Sequence, residues 1–95
     1  MGVLVHNADY DQKWHKGSFD SPEDSLRYHF DRHGAEINAT TPEQYLNKAE
    51  QFKNNQKRAK SYPVDGANPG TKRYVKNGRY IDLAPDGRIV SFGSD

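Results

Sequence analysis

The chain of 95 residues contains no cysteine, and this absence removes both a disulfide framework and a thiolate metal site. Apolar residues are also scarce, since the hydrophobic fraction is 33% and the mean hydropathy is −1.12. No apolar run is long enough to cross a membrane, and MGVLVHN turns polar too soon for a signal peptide. We therefore expect one small domain with a modest core and no membrane span.

Charge is divided unevenly along the chain. Residues 1–50 carry five Lys or Arg and nine Asp or Glu, a net charge of −4, whereas residues 51–95 carry nine and four, a net charge of +5. A basic half attracts a polyanion such as RNA, and an acidic half opposes indiscriminate binding to it. The plainer interpretation is that Lys and Arg keep a small domain soluble.

The first helix start lies at residues 21–24. Ser21 is a good N-cap and Pro22 suits the first helical position. Leu26 and Phe30 stand four residues apart and form the apolar stripe of a short amphipathic helix. We expect Gly34 to end this helix in the left-handed conformation.

The second helix start is the TPEQ segment at residues 41–44, where Thr41 and Gln44 have the spacing of a capping box. Apolar residues then follow at helical spacing, namely Tyr45, Leu46, Ala49 and Phe52. The pattern predicts a helix that runs to about Arg58.

Strand-like runs occupy the C-terminal third of the chain. A loop is predicted for residues 61–70, followed by TKRYVK, GRYIDLA and RIVSFG. Asn77-Gly78 is a strong hairpin signal, and the Pro-Asp-Gly at residues 85–87 predicts a second tight turn. The predicted class is α+β, with two N-terminal helices packed on a small antiparallel sheet that has at least a three-stranded C-terminal meander. Residues 1–20 are expected to be an arm or linker remnant, and residues 21–95 the domain.

The two turns also predict the strand register. Arg73 should pair with Asp82, Leu83 with Ile89, and Ile81 with Ser91. Alternation then gives one face that should cover the helices, formed by Tyr74, Ile81, Leu83, Ile89 and Ser91. The other face carries Arg73, Val75, Tyr80, Asp82, Val90 and Phe92. This register separates Arg73 from Ser91 unless a bulge intervenes.

The segment RYHFDRHG at residues 27–34 places His29 and His33 one helical turn apart on a shared face. A zinc site is one interpretation, but the glutamate of a zincin motif is missing, and a third ligand would have to be His6, His15 or a distant carboxylate. A structural interpretation is that histidines near a helix C-terminus interact with its dipole. A catalytic interpretation is that imidazole takes a proton from an RNA 2′-hydroxyl or gives one to a leaving 5′-oxygen.

A nuclease of this kind uses the hydroxyl of RNA as nucleophile, so it needs a base, an acid and a donor to the phosphate. The predicted strands supply such groups in Lys72, Arg73, Tyr74 and Ser91. Each also has a structural explanation, because Arg73 can pair with Asp82, Tyr74 can lie in the core, and Ser91 is a small strand residue.

The order HF-x-x-HG, TPEQYLNKAEQF, KRY and DGRIVSF, over about residues 25–93, resembles a known group of proteins. These are the small C-terminal toxin domains of bacterial polymorphic and contact-dependent growth inhibition systems, in the barnase–EndoU–colicin–RelE-like RNase superfamily that includes colicin D. The resemblance implies a metal-independent endoribonuclease without a cofactor that cleaves tRNA or another structured RNA. It also implies neutralisation by a cognate immunity protein, delivery within a larger secreted effector and action in the target-cell cytoplasm. We expect a monomer in the free state.

Carried over residue by residue, the resemblance implies catalytic roles for His29, His33, Arg73, Tyr74 and Ser91. One histidine would be the base and the other the acid, and the spacing does not say which. Arg73 would stabilise charge on the phosphate, Ser91 would donate to it, and Tyr74 would stack on or orient a base. Contacts to RNA are expected from Lys72, Lys76 and Arg79. The alternative is a non-catalytic RNA- or protein-binding module that uses the basic C-terminal half.

Overall fold

A computed structural model describes residues 10–64 and 68–95 of the chain. Residues 10–13 are helical, and the elements that follow are helix α1 (Pro22–His33), a 3₁₀ helix (Gly34–Ile37) and helix α2 (Pro42–Asn54). The strands are β1 (Lys60–Pro63), β2 (Lys72–Lys76), β3 (Arg79–Leu83) and β4 (Ile89–Ser94). They form one sheet in the order β1-β2-β3-β4, with every neighbouring pair antiparallel.

The α+β prediction is therefore confirmed, including the three-stranded C-terminal meander. Strand β1 adds a fourth strand from residues that were mostly predicted as loop. Residues 65–67 of that predicted loop, and residues 1–9 of the predicted arm, lie outside the described residues. In the part of the chain that is described, no helix is both long and apolar enough to cross a membrane.

Both predicted N-caps are present. The Ser21 hydroxyl accepts from the backbone N–H of Asp24 at 3.1 Å, and the Thr41 hydroxyl accepts from that of Gln44 at 3.1 Å. Helix α2 ends at Asn54 rather than near Arg58. The physical reason is that residues 53–58 are all polar, so the turns up to Arg58 would have had nothing to pack against the core.

Gly34 does not adopt the predicted left-handed conformation. Its φ and ψ are −57° and −44°, and the chain continues into the 3₁₀ helix until Asn38, which is left-handed with a φ of 63°. Gly34 is needed for space, because a Cβ atom there would lie 2.7 Å from Cδ1 of Phe30. The helical chain therefore extends past His33 and brings Glu36 beside it.

The core lies between the helices and one face of the sheet. Trp14 is fully buried in it, donates from Nε1 to the Ser25 hydroxyl at 3.0 Å, and forms a parallel bridge with Ile89. The described part of the predicted arm is thus tied to the core by Trp14. Other members of this core are Tyr10, Leu26, Ile37, Ala39, Tyr45, Leu46, Ala49, Ile81, Leu83, Ile89 and Phe92.

A β-bulge in β4 corrects the predicted register. Leu83 pairs with Ile89 as predicted, but Asp82 pairs with Ser91, so Val90 is left as the extra residue. The prediction that Ile81 pairs with Ser91 is wrong, because Ile81 pairs with Phe92. Phe92 consequently points into the core, whereas Ser91 moves to the face that carries Arg73.

Candidate active site

The face of the sheet turned away from the helical core, called the outer face here, carries Arg73, Tyr80, Asp82 and Ser91. Arg73, Asp82 and Ser91 are direct neighbours across β2, β3 and β4, and Tyr80 is two residues before Asp82. Helix α1 packs against β4. Its last turns therefore bring two histidines to the edge of this polar cluster.

His29 is held through one ring nitrogen and leaves the other unbonded. Its Nδ1–H donates to the backbone carbonyl of Ser25 at 2.8 Å, and Nε2 has no hydrogen-bond partner among the described residues. The rings of Trp14, Phe19 and Tyr28 lie 5.2–6.0 Å from its ring centre. Burial lowers the pKa of His29, and the nearby His33 lowers it further, against the opposing effect of the Ser25 bond. The lowered pKa favours the neutral imidazole, in which Nε2 is the basic nitrogen.

His33 is held in the same manner by an acidic residue. Its Nδ1 lies 3.1 Å from Oε1 of Glu36, and the same oxygen accepts from the backbone N–H of Ser94 at 3.0 Å. The Ser94 bond and His33 keep the pKa of the Glu36 carboxyl below its usual value. Because the carboxylate only accepts, Nδ1 of His33 carries a proton and Nε2 is directed elsewhere. That Nε2 lies 3.5 Å from the hydroxyl of Tyr80.

Two hydroxyl groups meet beside His33. The Tyr80 hydroxyl and the Ser91 hydroxyl are 2.8 Å apart, and both residues are buried. Burial raises the pKa of Tyr80, with the Ser91 bond acting in the opposite direction. The phenol therefore keeps its proton, and the pair can donate one O–H beyond the bond that joins them.

Arg73 is held in place over Tyr80 by Asp82. Its Nε and Nη2 donate to the two carboxylate oxygens of Asp82 at 2.7 and 3.0 Å, and its guanidinium carbon lies 4.0 Å from the centre of the Tyr80 ring. The Asp82 bonds raise the pKa of Arg73. Two of the five guanidinium N–H groups are used in this pair, and three remain for a ligand. The predicted pairing of Arg73 with Asp82 is thus present together with a capacity to bind an anion.

The two histidines form one unit. Their rings are nearly parallel, with 17° between the planes and 6.3 Å between the centres. Both anchor Nδ1 on a protein oxygen, and among the described residues Nε2 is unbonded in His29 and 3.5 Å from the Tyr80 hydroxyl in His33. The structure therefore brings together four of the five sequence-predicted catalytic residues, namely His29, His33, Arg73 and Ser91.

Tyr74 is the predicted catalytic residue that lies elsewhere. It pairs with Ile81 and packs against the core, on the opposite face of the sheet from Arg73. Tyr80 occupies the position beside the histidines instead. The alternation of side chains along β3 puts Tyr80 on the same face as Arg73. This alternation is the sequence signal that indicates Tyr80 as a site residue.

The three predicted RNA contacts are also away from the outer face. Lys72, Lys76 and Arg79 have the alternation parity of the core-facing residues. Lys76 donates to the backbone carbonyl of Asn55 at 2.6 Å, and this bond fastens the end of β2 to the end of α2. These cations flank the sheet rather than the histidine pair.

Glu36 and Ser25 were not predicted as site residues. Glu36 stands three residues after His33, a spacing that brings side chains together only if the helical chain continues through Gly34. The prediction that the helix ends at Gly34 in the left-handed conformation therefore excluded the contact between His33 and Glu36. Ser25 acts through its backbone carbonyl, which carries no side-chain signal.

Histidine and carboxylate groups in the described part of the chain form no cluster of three or more that could hold a metal ion. His15, a candidate third ligand, accepts the backbone N–H of Gly17 on Nδ1 at 2.9 Å. The same nitrogen lies 3.2 Å from Nδ2 of Asn68. His6, the other candidate, lies outside the described residues.

Comparisons with known proteins return nothing: no family model, no curated protein and no solved structure matches the chain. The resemblance to delivered ribonuclease toxins stays a prediction. The chemistry of the side chains described above is what supports a function.

Proposed function

We propose that this chain is a metal-independent endoribonuclease that cleaves tRNA or another structured RNA by attack of a 2′-hydroxyl. The observation that carries the proposal is the histidine pair, in which both Nδ1 atoms are anchored, Nε2 of His29 is unbonded within the described part of the chain and Nε2 of His33 lies 3.5 Å from the Tyr80 hydroxyl. Two imidazoles 6.3 Å apart can flank one phosphodiester. An arginine and a hydroxyl pair then stand beside the same phosphate.

His29 is the base in this proposal. Its neutral Nε2 removes the proton of the 2′-hydroxyl, and O2′ then forms a bond to phosphorus. The P–O5′ bond breaks, and protonated His33 gives its Nε2 proton to the leaving O5′. The products are a 2′,3′-cyclic phosphate and a 5′-hydroxyl, so atoms and protons balance without a further reactant.

The negative charge that builds up on the phosphoryl oxygens is met by Arg73 and the Tyr80–Ser91 hydroxyl pair. Arg73 supplies its remaining N–H groups from a guanidinium that Asp82 already holds in place. Preorganised donors of this kind stabilise a transition state without reorganising during the reaction. Asp82 is a positioning residue because its contact is with Arg73.

The biological setting is proposed on the sequence resemblance alone. In it, the ribonuclease is the toxic part of a delivered effector, acts in the cytoplasm of the target cell and is neutralised by a cognate immunity protein. Coexpression with proteins encoded beside it would identify an inhibitor that abolishes cleavage.

The direct test is incubation of the purified chain with total tRNA and rRNA in EDTA. We expect discrete cleavage that leaves 2′,3′-cyclic phosphate ends, and a loss of about 10²–10⁴-fold in His29→Ala and in His33→Ala. Asp31→Ala is the matched control, because Asp31 lies on the same helix between the histidines and is exposed. This variant should keep the wild-type rate.

The binding-module alternative gives a different result. It predicts RNA binding that weakens steeply with salt and is unchanged by either histidine substitution, with the RNA left intact. Intact RNA in all folded proteins would reject the ribonuclease proposal. Cleavage that EDTA abolishes would reject its metal independence.

A further inference from the structure

A cavity opens beside His29, and neither Tyr80 nor Ser91 lines it. Its volume is about 190 Å³, and its walls include Ser18, Phe19, His29, Asn68 and Val90. The cavity thus has walls from the segment before α1, from α1 itself, from the segment before β2 and from the bulge of β4. His29 belongs both to this cavity and to the proposed active site.

The walls of the cavity differ in chemistry. Phe19 contributes an aromatic ring, which also lies 5.0 Å from the ring of Tyr28, and Val90 contributes an apolar surface. Asn68 and Ser18 contribute polar groups. A cavity with apolar and aromatic walls and a few polar groups fits a flat ligand with hydrogen-bonding atoms along its edge.

The Asn68 amide is oriented by His15. Because the backbone N–H of Gly17 donates to Nδ1 of His15, this nitrogen is an acceptor, and Nδ2 of Asn68 donates to it at 3.2 Å. His15 is itself fixed, since its backbone N–H donates to the carbonyl of Ile89 at 2.8 Å. One N–H and Oδ1 of the Asn68 amide have no other partner among the described residues. The amide therefore retains one donor and one acceptor on a side chain that lines the cavity.

We propose that this cavity holds the nucleobase of the nucleotide whose 2′-hydroxyl His29 deprotonates. Phe19 packs on the face of the base, and Asn68 reads a donor and an acceptor on its edge, as Asn does with adenine. The assignment rests on the proposed ribonuclease function. His29 lines the cavity, and the 2′-hydroxyl that it deprotonates belongs to the same nucleotide as the base, so the two sites lie within one nucleotide of each other. Ribonuclease cleavage is then selective for the base on the 5′ side of the cut.

The test is an NMR titration of the wild-type chain with each of the four nucleoside 3′-monophosphates. We expect one nucleotide to bind more tightly than the others and to shift the resonances of Phe19, Asn68 and Val90. Asn68→Ala should weaken binding of that nucleotide about tenfold, whereas Asn47→Ala, an exposed asparagine on α2, should not. Phe19→Leu should weaken all four alike, because stacking is tolerant of sequence.

Cleavage of a random-sequence RNA pool separates this proposal from the proposed function. We expect a base preference immediately 5′ of the cut that Asn68→Asp redirects towards bases with donor edges. Cleavage without any 5′ base preference, or with one that Asn68→Ala leaves intact, would overturn the base pocket alone. Selective nucleotide binding by a chain that cuts no RNA would contradict the ribonuclease function but would still support base recognition in this cavity.

Discussion

At the scale of single residues, the site depends on which ring nitrogen of each histidine is anchored to the protein. The Ser25 carbonyl and the Glu36 carboxylate accept hydrogen bonds from Nδ1–H of His29 and His33, so Nε2 is the nitrogen left for proton transfer. The two partners differ, since one is a neutral carbonyl and the other an ionised carboxylate. This difference is the physical basis for assigning His29 as base and His33 as acid.

The pKa of His29 provides a direct test of this environment. Because burial and His33 both lower it, we expect the NMR titration of the His29 ring to have a midpoint below 6.5. Replacing His33 by Gln removes one of the effects that lower the pKa of His29 and should raise the midpoint. Asp31→Asn should leave it unchanged.

The pKa of His29 also sets the acidic limb of the pH profile of kcat/KM. A base must be unprotonated, so kcat/KM should rise with pH through the pKa of His29 and be level above it until another group titrates. A limb centred above 6.5 would contradict the role of His29 as the base.

At the scale of elements, the close approach of β4 to the 3₁₀ helix keeps the Glu36–His33 pair in place. A Cβ atom on Gly93 would lie 2.9 Å from Oε1 of Glu36 and 3.1 Å from Nδ1 of His33. Any residue other than glycine at position 93 would therefore displace Glu36 or His33. Gly93 is therefore part of the support of the site.

We expect Gly93→Ala to lower kcat about a hundredfold, because it displaces His33 from its working position. The fold should persist, since Glu36 is exposed and can move. Thermal unfolding and cleavage assays on the same samples check both statements. Ser94→Ala is the control, because Ser94 contacts Glu36 only through its backbone. Equal activity of Gly93→Ala and wild type would contradict the proposed role of this contact.

The junction of α1 and the 3₁₀ helix gives a second prediction at this scale. Helix propensity alone would make Gly34→Ala stabilising by about 1 kcal/mol. We expect the reverse, a loss of about 1–3 kcal/mol, because the new methyl group overlaps the Phe30 ring.

Urea unfolding of a double-mutant cycle with Phe30→Leu measures the cause. The penalty of Gly34→Ala should shrink in the Phe30→Leu background, where the ring is gone. A penalty of the same size in both backgrounds would contradict overlap with the Phe30 ring as the cause.

At the scale of the whole molecule, the catalytic cluster and the core share elements. Trp14 fills the core and also donates to Ser25, the residue whose carbonyl holds His29. Tyr45 donates its hydroxyl to the backbone carbonyl of Phe92, next to Ser91. Positioning of the site and stability of the fold are therefore linked through these two buried aromatic residues.

The burial of His29 also predicts how the stability of the fold varies with pH. The pKa of His29 is lower in the folded chain than in the unfolded chain, so the unfolded chain binds more protons as the pH falls below about 6.5. The free energy of unfolding should therefore decrease as the pH falls from 6.5 towards 5, by less than about 1.4 kcal/mol per pH unit. His29→Gln should reduce this slope, as measured by urea unfolding at each pH. An unchanged slope would show that His29 is not the group responsible.

Much of the fold could be predicted because it depends on local signals. Ser21 and Thr41 form caps with their own helices, and Asn77-Gly78 closes a hairpin with both residues at positive φ. Each of these interactions joins residues fewer than five apart. The predicted pairing of Arg73 with Asp82 followed from that hairpin and is present in the sheet.

The sequence by itself therefore determined the two helices, the three C-terminal strands, their order and the histidine pair on α1. Only the tertiary structure decided that Ser91 and Arg73 share a face, because the bulge at Val90 depends on how β4 packs between the helices and β3. Only it decided that the histidines lie beside the face that carries Tyr80, and that Glu36 reaches His33. A one-residue change of register reverses every side chain that follows it, and no local pattern in the sequence records where that change occurs.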